Sequence, residues 1–90
     1  MDEALASAEL EQLARRLGVE VRREALPVPG GLCQLRGRWT LFLDTALSVA
    51  EQVEVLADAL RGFDLSRVYV RPALRQLLEA GEAAGGASER

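Results

Sequence analysis

The side chains that could do chemistry here are carboxylates, hydroxyls, one thiol and arginines, because the chain contains no histidine. Glu54 and Asp58 lie one helical turn apart and could share a cation through their oxygens. Neighbouring carboxylates on a helix usually mark a solvated face, which is the interpretation we favour. A Ser-His acyl-transfer site is excluded, because no serine has a histidine partner. We therefore expect no catalytic residue, no metal site, no cofactor and no enzyme activity.

The single thiol and the arginines offer the remaining chemistry. Cys33 is the only cysteine, and in an apolar strand without an activating histidine we expect a small buried hydrophobe rather than a reactive thiol. All eleven basic residues are arginine, whereas lysine, isoleucine and asparagine are absent. This pattern is expected where coding DNA is biased towards G and C, and it favours ordinary solubilising charge. Guanidinium groups also pair well with carboxylates and phosphates, so two groups of arginines could bind an acidic partner: Arg36 and Arg38, and Arg67, Arg71 and Arg75.

Length and composition predict one small domain. The 90 residues are 49% hydrophobic, which fits a single compact unit over residues 1–81. The run over residues 82–90 lacks large apolar side chains and is predicted to be a flexible tail. A net charge of −3 argues against a nucleic-acid partner. No apolar run suits a membrane span or a secretory signal, so we expect no membrane partner and a cytoplasmic location.

Hydrophobic periodicity predicts an α+β fold with the element order α-β-β-β-α-β-α. We expect a small, mostly antiparallel sheet of three to four strands, with three helices packed mainly on one face. Ser48 and Glu51 form a capping box, which predicts where the middle helix begins. The predicted elements are a helix over 2–17, strands over 19–22, 32–35 and 39–43, a helix between Ser48 and Gly62, a strand over 67–71 and a helix from Pro72.

The predicted hairpin has two possible registers. Pairing Leu35 with Trp39 and Cys33 with Leu41 places all four apolar side chains on one face, and it requires a three-residue turn. Gly37 would equally suit a two-residue primed turn. We favour the hydrophobic pattern over the turn chemistry.

Aromatic residues and arginines mark the predicted interaction surface. If Trp39 and Leu41 face the core, Phe42 points to the opposite face, where an uncovered aromatic ring is unfavourable in water. The first or last helix, or another subunit, should therefore cover it. The residues we expect at this surface are Arg36, Arg38, Phe42, Tyr69 and Arg71.

The motifs Gly30-Gly31-Leu32-Cys33 and Trp39-Thr40-Leu41-Phe42-Leu43-Asp44, followed by a Ser-capped helix with Leu56-Ala57, resemble the ImmA/IrrE zinc-peptidase family. In that family the helix carries a Leu-Ala-His-Glu-Leu-Gly-His pattern. Aligning Leu56 and Ala57 with its first two residues puts Asp58 and Gly62 at the histidines and Ala59 at the glutamate. The resemblance therefore implies a scaffold without its metal site. The chain also looks like short bacterial proteins that share this hairpin and a terminal Tyr-Val-x-Pro-Ala segment.

Together these features favour a non-catalytic interaction or regulatory domain. We expect it to form a homodimer or to bind another protein, because it is small and lacks catalytic groups. The alternative is a small-ligand binder or enzyme in a cleft between the middle helix and the sheet, using residues such as Asp44, Asp58 or Arg61. Nucleic-acid binding through the arginines is a third possibility and predicts a strongly salt-dependent affinity.

Overall fold

The computed structural model describes residues 2–79, so the predicted tail over 82–90 lies outside the described residues. Within this described part, three helices and three strands follow one another along the chain. Their bounds are α1 Glu3–Arg16, β1 Glu20–Glu24, β2 Gly30–Leu35, β3 Arg38–Asp44, α2 Val49–Leu60 and, at the end, α3 over 72–79.

Local side-chain contacts explain where α2 and α1 begin. The capping box is confirmed: Ser48 Oγ accepts from the Glu51 amide at 3.2 Å, and Glu51 Oε1 accepts from the Ser48 amide at 2.8 Å. Asp2 caps α1 by accepting from the Leu5 amide. These contacts satisfy amide groups that a helix cannot satisfy within itself.

The three strands form a mixed sheet in the order β1-β3-β2. β3 is the central strand and pairs antiparallel with β2 and parallel with β1. The α+β class is confirmed, with three strands as the lower predicted number, and the predicted order of elements holds apart from the strand expected over 67–71. The sheet is mixed rather than mostly antiparallel, because one of its two strand pairings is parallel. After β1 the loop over 25–29 reverses the chain and leaves one strand position empty next to β1, so β2 forms two positions away. The hairpin turn reverses the chain again and places β3 in the empty position, where it runs parallel to β1.

The predicted fourth strand over 67–71 is not a strand in the structure. Its alternation still has a physical meaning, because Val70 is buried and Tyr69 is exposed. The segment lies against α1, where Arg71 donates to Glu9 Oε1 at 3.1 Å. Among the described residues this segment pairs with no strand of the sheet, so it packs against α1 without joining the sheet.

The predicted hairpin register is wrong by one residue. Leu35 pairs with Arg38, Cys33 with Thr40 and Leu32 with Leu41, so the turn has two residues rather than three. Arg36 and Gly37 both have positive φ, at 54° and 79°, as a type I′ turn requires. Turn chemistry therefore decided the register, and Cys33 and Leu35 lie on the face opposite to Leu41.

The helices within residues 2–79 all lie on one side of the sheet, which we call the covered face. There Leu41 and Leu43 of β3 are fully buried with Leu10 of α1 and Leu56 of α2. The last helix adds its apolar side to the same core, and Arg61 Nε donates to the Leu78 carbonyl at 2.8 Å. The buried hydrophobic residues of this core are Ala6, Leu10, Leu13, Ala14, Val19, Leu41, Leu43, Val53, Leu56, Ala57, Leu60, Val70, Leu74 and Leu78.

An ionic cluster attaches β1 to both long helices on the covered side. Arg23 donates to Glu11 of α1 through two nitrogens, at 2.8 and 3.3 Å, and to Gln52 of α2 at 3.2 Å. Arg15 adds a further contact to Glu11 at 2.6 Å. The hydrogen bonds from Arg23 lower the pKa of Glu11 from its usual value of 4.5, and partial burial opposes them. The cluster thus holds the edge strand in place against the helices.

Candidate interaction surface

The other side of the sheet, which we call the open face, has no helix packed on it among residues 2–79. Its side chains belong to alternate residues of the three strands and form four rows from the hairpin end to the far end. The rows are Arg38 and Leu35; Glu20, Thr40 and Cys33; Arg22, Phe42 and Gly31; and Glu24 and Asp44.

Leu35 and Phe42 give the open face an apolar component. Leu35 is 44% exposed, and Cys33 and Phe42 are half-buried. None of the three belongs to the hydrophobic core or packs against it. Apolar side chains that stay outside the core of so small a domain are candidates for contact with another molecule.

Phe42 is covered from within its own chain, but by a charged side chain rather than a helix. The guanidinium carbon of Arg22 lies 5.6 Å from the centre of the Phe42 ring, within range of a cation–π contact. Arg22 also pairs with Glu24 at 2.9 Å. The prediction that α1 or α3 covers Phe42 is therefore wrong, because both helices occupy the covered face. The Arg22 side chain is itself about half exposed.

A basic hollow lies at the hairpin end of the open face. It has a volume of about 630 Å³ and is lined by Glu20, Arg22, Leu35, Arg36, Arg38 and Thr40. Thr40 lies at its floor and is 2% exposed. Within the described residues Arg36 and Arg38 form no ion pair. Guanidinium groups without an internal counter-ion are available to a carboxylate or phosphate of a partner.

Charge differs between the two ends of the open face. Arg36 and Arg38 lie at the hairpin end, whereas Glu24 and Asp44 are level with each other at the far end. Glu20 and Arg22 alternate between them along β1. The open face is therefore not uniformly basic: its two ends carry opposite charges, and the charges of β1 alternate in sign between them.

The structure brings together three of the five predicted surface residues. Arg36, Arg38 and Phe42 share the open face, whereas Tyr69 and Arg71 lie on the segment packed against α1. Tyr69 is 70% exposed, and Arg71 is engaged by Glu9 at 2.9 Å. Sequence reasoning missed Arg22, Glu20 and Leu35, whose placement depends on the turn and on the parallel pairing of β1. The glycine at position 37 was the signal that could have placed Leu35 correctly.

A second concavity, the edge groove, runs between α2 and the free edge of β2. Its volume is about 490 Å³, and Glu54, Asp58 and Arg61 contribute polar groups to it. The apolar lining comes from Gly30, Gly31, Leu32, Leu41, Val55 and Ala59. This is the cleft expected between the middle helix and the sheet, although Asp44 does not line it. Asp44 instead accepts a hydrogen bond from the Leu26 amide at 3.0 Å.

Comparisons with family models, with curated proteins and with solved structures return no match. The resemblance to zinc peptidases therefore remains a prediction from the motifs alone. In the structure α2 ends at Leu60, so Gly62 lies beyond the helix that carries Asp58. The Asp58 side chain is 87% exposed and lies 3.6 Å from Arg61.

Two further findings concern residues 2–79 only. No three carboxylate or thiol side chains in this part of the chain come together as a metal-binding group. None of its helices is long and apolar enough to cross a bilayer.

Proposed function

We propose that the protein is a non-catalytic interaction domain that self-associates through its open face. The single observation that carries the proposal is the placement of all described helices on the opposite side of the sheet, which leaves Leu35 and Phe42 outside the core. A sheet with one uncovered face can pack against a second sheet, because side chains from the two faces interdigitate about 10 Å apart.

The size of the open face sets the expected strength of this association. Three strands of up to seven residues span roughly 14 by 24 Å, which is small beside the surface of about 800 Å² per partner that stable complexes bury. We therefore expect a weak dimer that forms with increasing protein concentration, as suits a regulatory contact. A larger protein partner that also engages the hairpin arginines would bind more tightly.

Sedimentation velocity over a micromolar to millimolar concentration series tests the proposal. We expect the weight-average sedimentation coefficient to rise with concentration for the wild type. Leu35→Glu, on the open face, should shift this rise to higher concentration. Leu5→Glu is the matched control, because Leu5 is equally exposed at 46% but lies on α1. A wild type that stays monomeric throughout the series contradicts self-association.

The edge groove favours a second function, the binding of a small ligand or the catalysis of its conversion. Glu54, Asp58 and Arg61 place charges of both signs around an apolar floor, a combination that could orient a polar ligand. A thermal-shift screen of small charged molecules tests this function. Ala59→Phe should narrow the groove and abolish any stabilisation, whereas Arg38→Gln, on the open face, should preserve it. No stabilising compound in such a screen, together with unchanged amide spectra, contradicts a ligand site.

A further inference from the structure

We propose that two copies pack open face to open face about a two-fold axis that runs perpendicular to the strands, between the row of Thr40 and the row of Phe42. The proposal rests on self-association through the open face, and it adds the symmetry of the contact and the residue pairs that define it. The occupant of the open face is then a second copy of the chain. The pattern of charge and side-chain size on the four rows is what selects this symmetry.

Rotation about this axis places each strand of one copy over the same strand of the second copy. The two strands then run in opposite directions. The first row then faces the fourth row of the second copy, and the second row faces the third. In this arrangement Arg38 lies opposite Asp44 of the second copy, and Glu20 lies opposite Arg22. Each of these pairs occurs twice because of the symmetry. Four of the five charged residues in the rows therefore meet a charge of opposite sign, and Glu24 faces none of the others.

Side-chain size is complementary in the same arrangement. Thr40 lies opposite Phe42 of the second copy, and Cys33 lies opposite Gly31. Thr40 is one of the residues lining the basic hollow of about 630 Å³, which offers space for an aromatic ring next to the strand. Large side chains facing small ones allow two sheets to interdigitate without voids.

The other simple symmetry, with the axis parallel to the strands, is disfavoured by the central strand. That axis maps β3 onto itself in the same direction, so Arg38 faces Arg38, Asp44 faces Asp44 and Phe42 faces Phe42. Like charges held face to face oppose association. Electrostatics therefore selects between two arrangements that would otherwise cover the same apolar surface.

Charge reversal at positions 20 and 22 tests the symmetry. Glu20→Arg alone places two arginines opposite each other, and Arg22→Glu alone places two glutamates opposite each other. We expect each variant to dimerise about tenfold more weakly than the wild type at low salt, or not at all. A mixture of the two variants restores opposite charges in both pairs, so we expect a heterodimer with an affinity near that of the wild type.

Native mass spectrometry of the Glu20→Arg variant mixed with an isotope-labelled Arg22→Glu variant measures the heterodimer directly, because its mass lies between those of the two homodimers. The double variant Glu20→Arg/Arg22→Glu should also regain homodimerisation, because the swap preserves the pairing between copies. Circular dichroism melts verify that every variant is folded.

The outcomes separate this proposal from the one on which it rests. A wild type that stays monomeric contradicts both self-association and the proposed symmetry. The other outcome is a wild type that dimerises while the mixture of the two charge variants forms no more heterodimer than each variant forms homodimer. That result overturns the proposed symmetry and leaves self-association through the open face intact.

Discussion

The two faces of the sheet are built from alternate residues of the same three strands, yet they are stabilised by different interactions. On the covered face Leu41 and Leu43 are fully buried among helix side chains. On the open face the neighbouring residues Thr40 and Phe42 lie among arginines and glutamates. Arg23 on the covered side contacts two helices, whereas Arg22 on the open side contacts only the sheet.

This difference separates the stability of the domain from its capacity to interact. Burial of apolar surface on the covered face supplies most of the free energy of folding, because the hydrophobic contribution scales with the area removed from water. The open face contributes little to folding and can therefore carry charges and exposed apolar groups. Substitutions at matched positions on the two faces should accordingly affect different properties.

The largest contrast in stability is expected between two leucines. Leu43→Ala removes a fully buried side chain from the covered face and should lower the free energy of unfolding by about 2 to 5 kcal/mol. Leu35→Ala, at a site that is 44% exposed on the open face, should lower it by less than about 1 kcal/mol. Urea unfolding at low protein concentration measures both, and equal losses would contradict the division between the faces.

A smaller contrast is expected between two adjacent glycines. A Cβ atom at Gly30, on the covered face, would overlap the Phe42 carbonyl oxygen and lie 3.2 Å from a methyl carbon of Val55. Gly30→Ala should therefore lower the free energy of unfolding by about 1 to 3 kcal/mol. Gly31→Ala meets no atom within 4 Å and should be neutral or slightly stabilising. Thermal and urea unfolding of the two variants would show whether the close approach is confined to the covered face.

Two ion pairs extend the contrast to charged groups. Glu11, whose side chain is 14% exposed, binds Arg23 through both carboxylate oxygens on the covered side. Glu11→Gln should lower the free energy of unfolding by about 1 kcal/mol at neutral pH. Glu24→Gln, in the Arg22 pair on the open face, should have almost no effect, because both partners are about half exposed.

The pH dependence of the Glu11 contribution follows from the direction of its pKa. Because Arg23 lowers the pKa of Glu11 below 4.5 in the folded chain, its stabilisation is complete above that pH and is lost as pH falls through the lowered pKa. Acid titrations of urea unfolding should therefore show a smaller loss of stability below pH 4.5 for Glu11→Gln than for the wild type. Identical acid slopes would mean that the pair is not formed in solution.

The smallest effect is expected at the turn that assigns residues to the two faces. Arg36 has a φ of 54°, which an asparagine adopts more readily than an arginine. Arg36→Asn should raise the free energy of unfolding by about 0.5 kcal/mol. Arg36→Gln removes the same charge without relieving the backbone and should not stabilise the chain. A gain with both variants would attribute the effect to charge rather than to turn geometry.

Local signals in the sequence predicted the helices and the α+β class. Ser48 and Glu51 define the start of α2 through contacts three residues apart, and the apolar spacing of α1 is visible without knowledge of its neighbours. Such elements are predictable because their stabilising contacts are close in sequence. The alternation of Val68, Tyr69 and Val70 correctly indicated which side chains are buried, but it did not reveal that no strand is available as a partner.

Contacts between distant residues limited the prediction of the candidate surface. Arg36, Arg38 and Phe42 could be named because the hairpin is local. Arg22 could not, since its place over Phe42 depends on the parallel pairing of β1 with β3, about twenty positions later. The hydrophobic pattern of β2 was also misleading, because Cys33 and Leu35 are apolar residues that the type I′ turn places outside the core.

The position of β3 between the other two strands has a consequence for how the domain acquires its structure. The ribosome synthesises β1 before β2 and β3. In the sheet of the described residues β1 pairs only with β3, which ends at Asp44. A chain that is still being synthesised must therefore keep Glu20–Glu24 unpaired until the hairpin is complete. The β2–β3 hairpin can close through its own short turn. The sheet pairing of β1 therefore depends on the hairpin, whereas the pairing of the hairpin does not depend on β1.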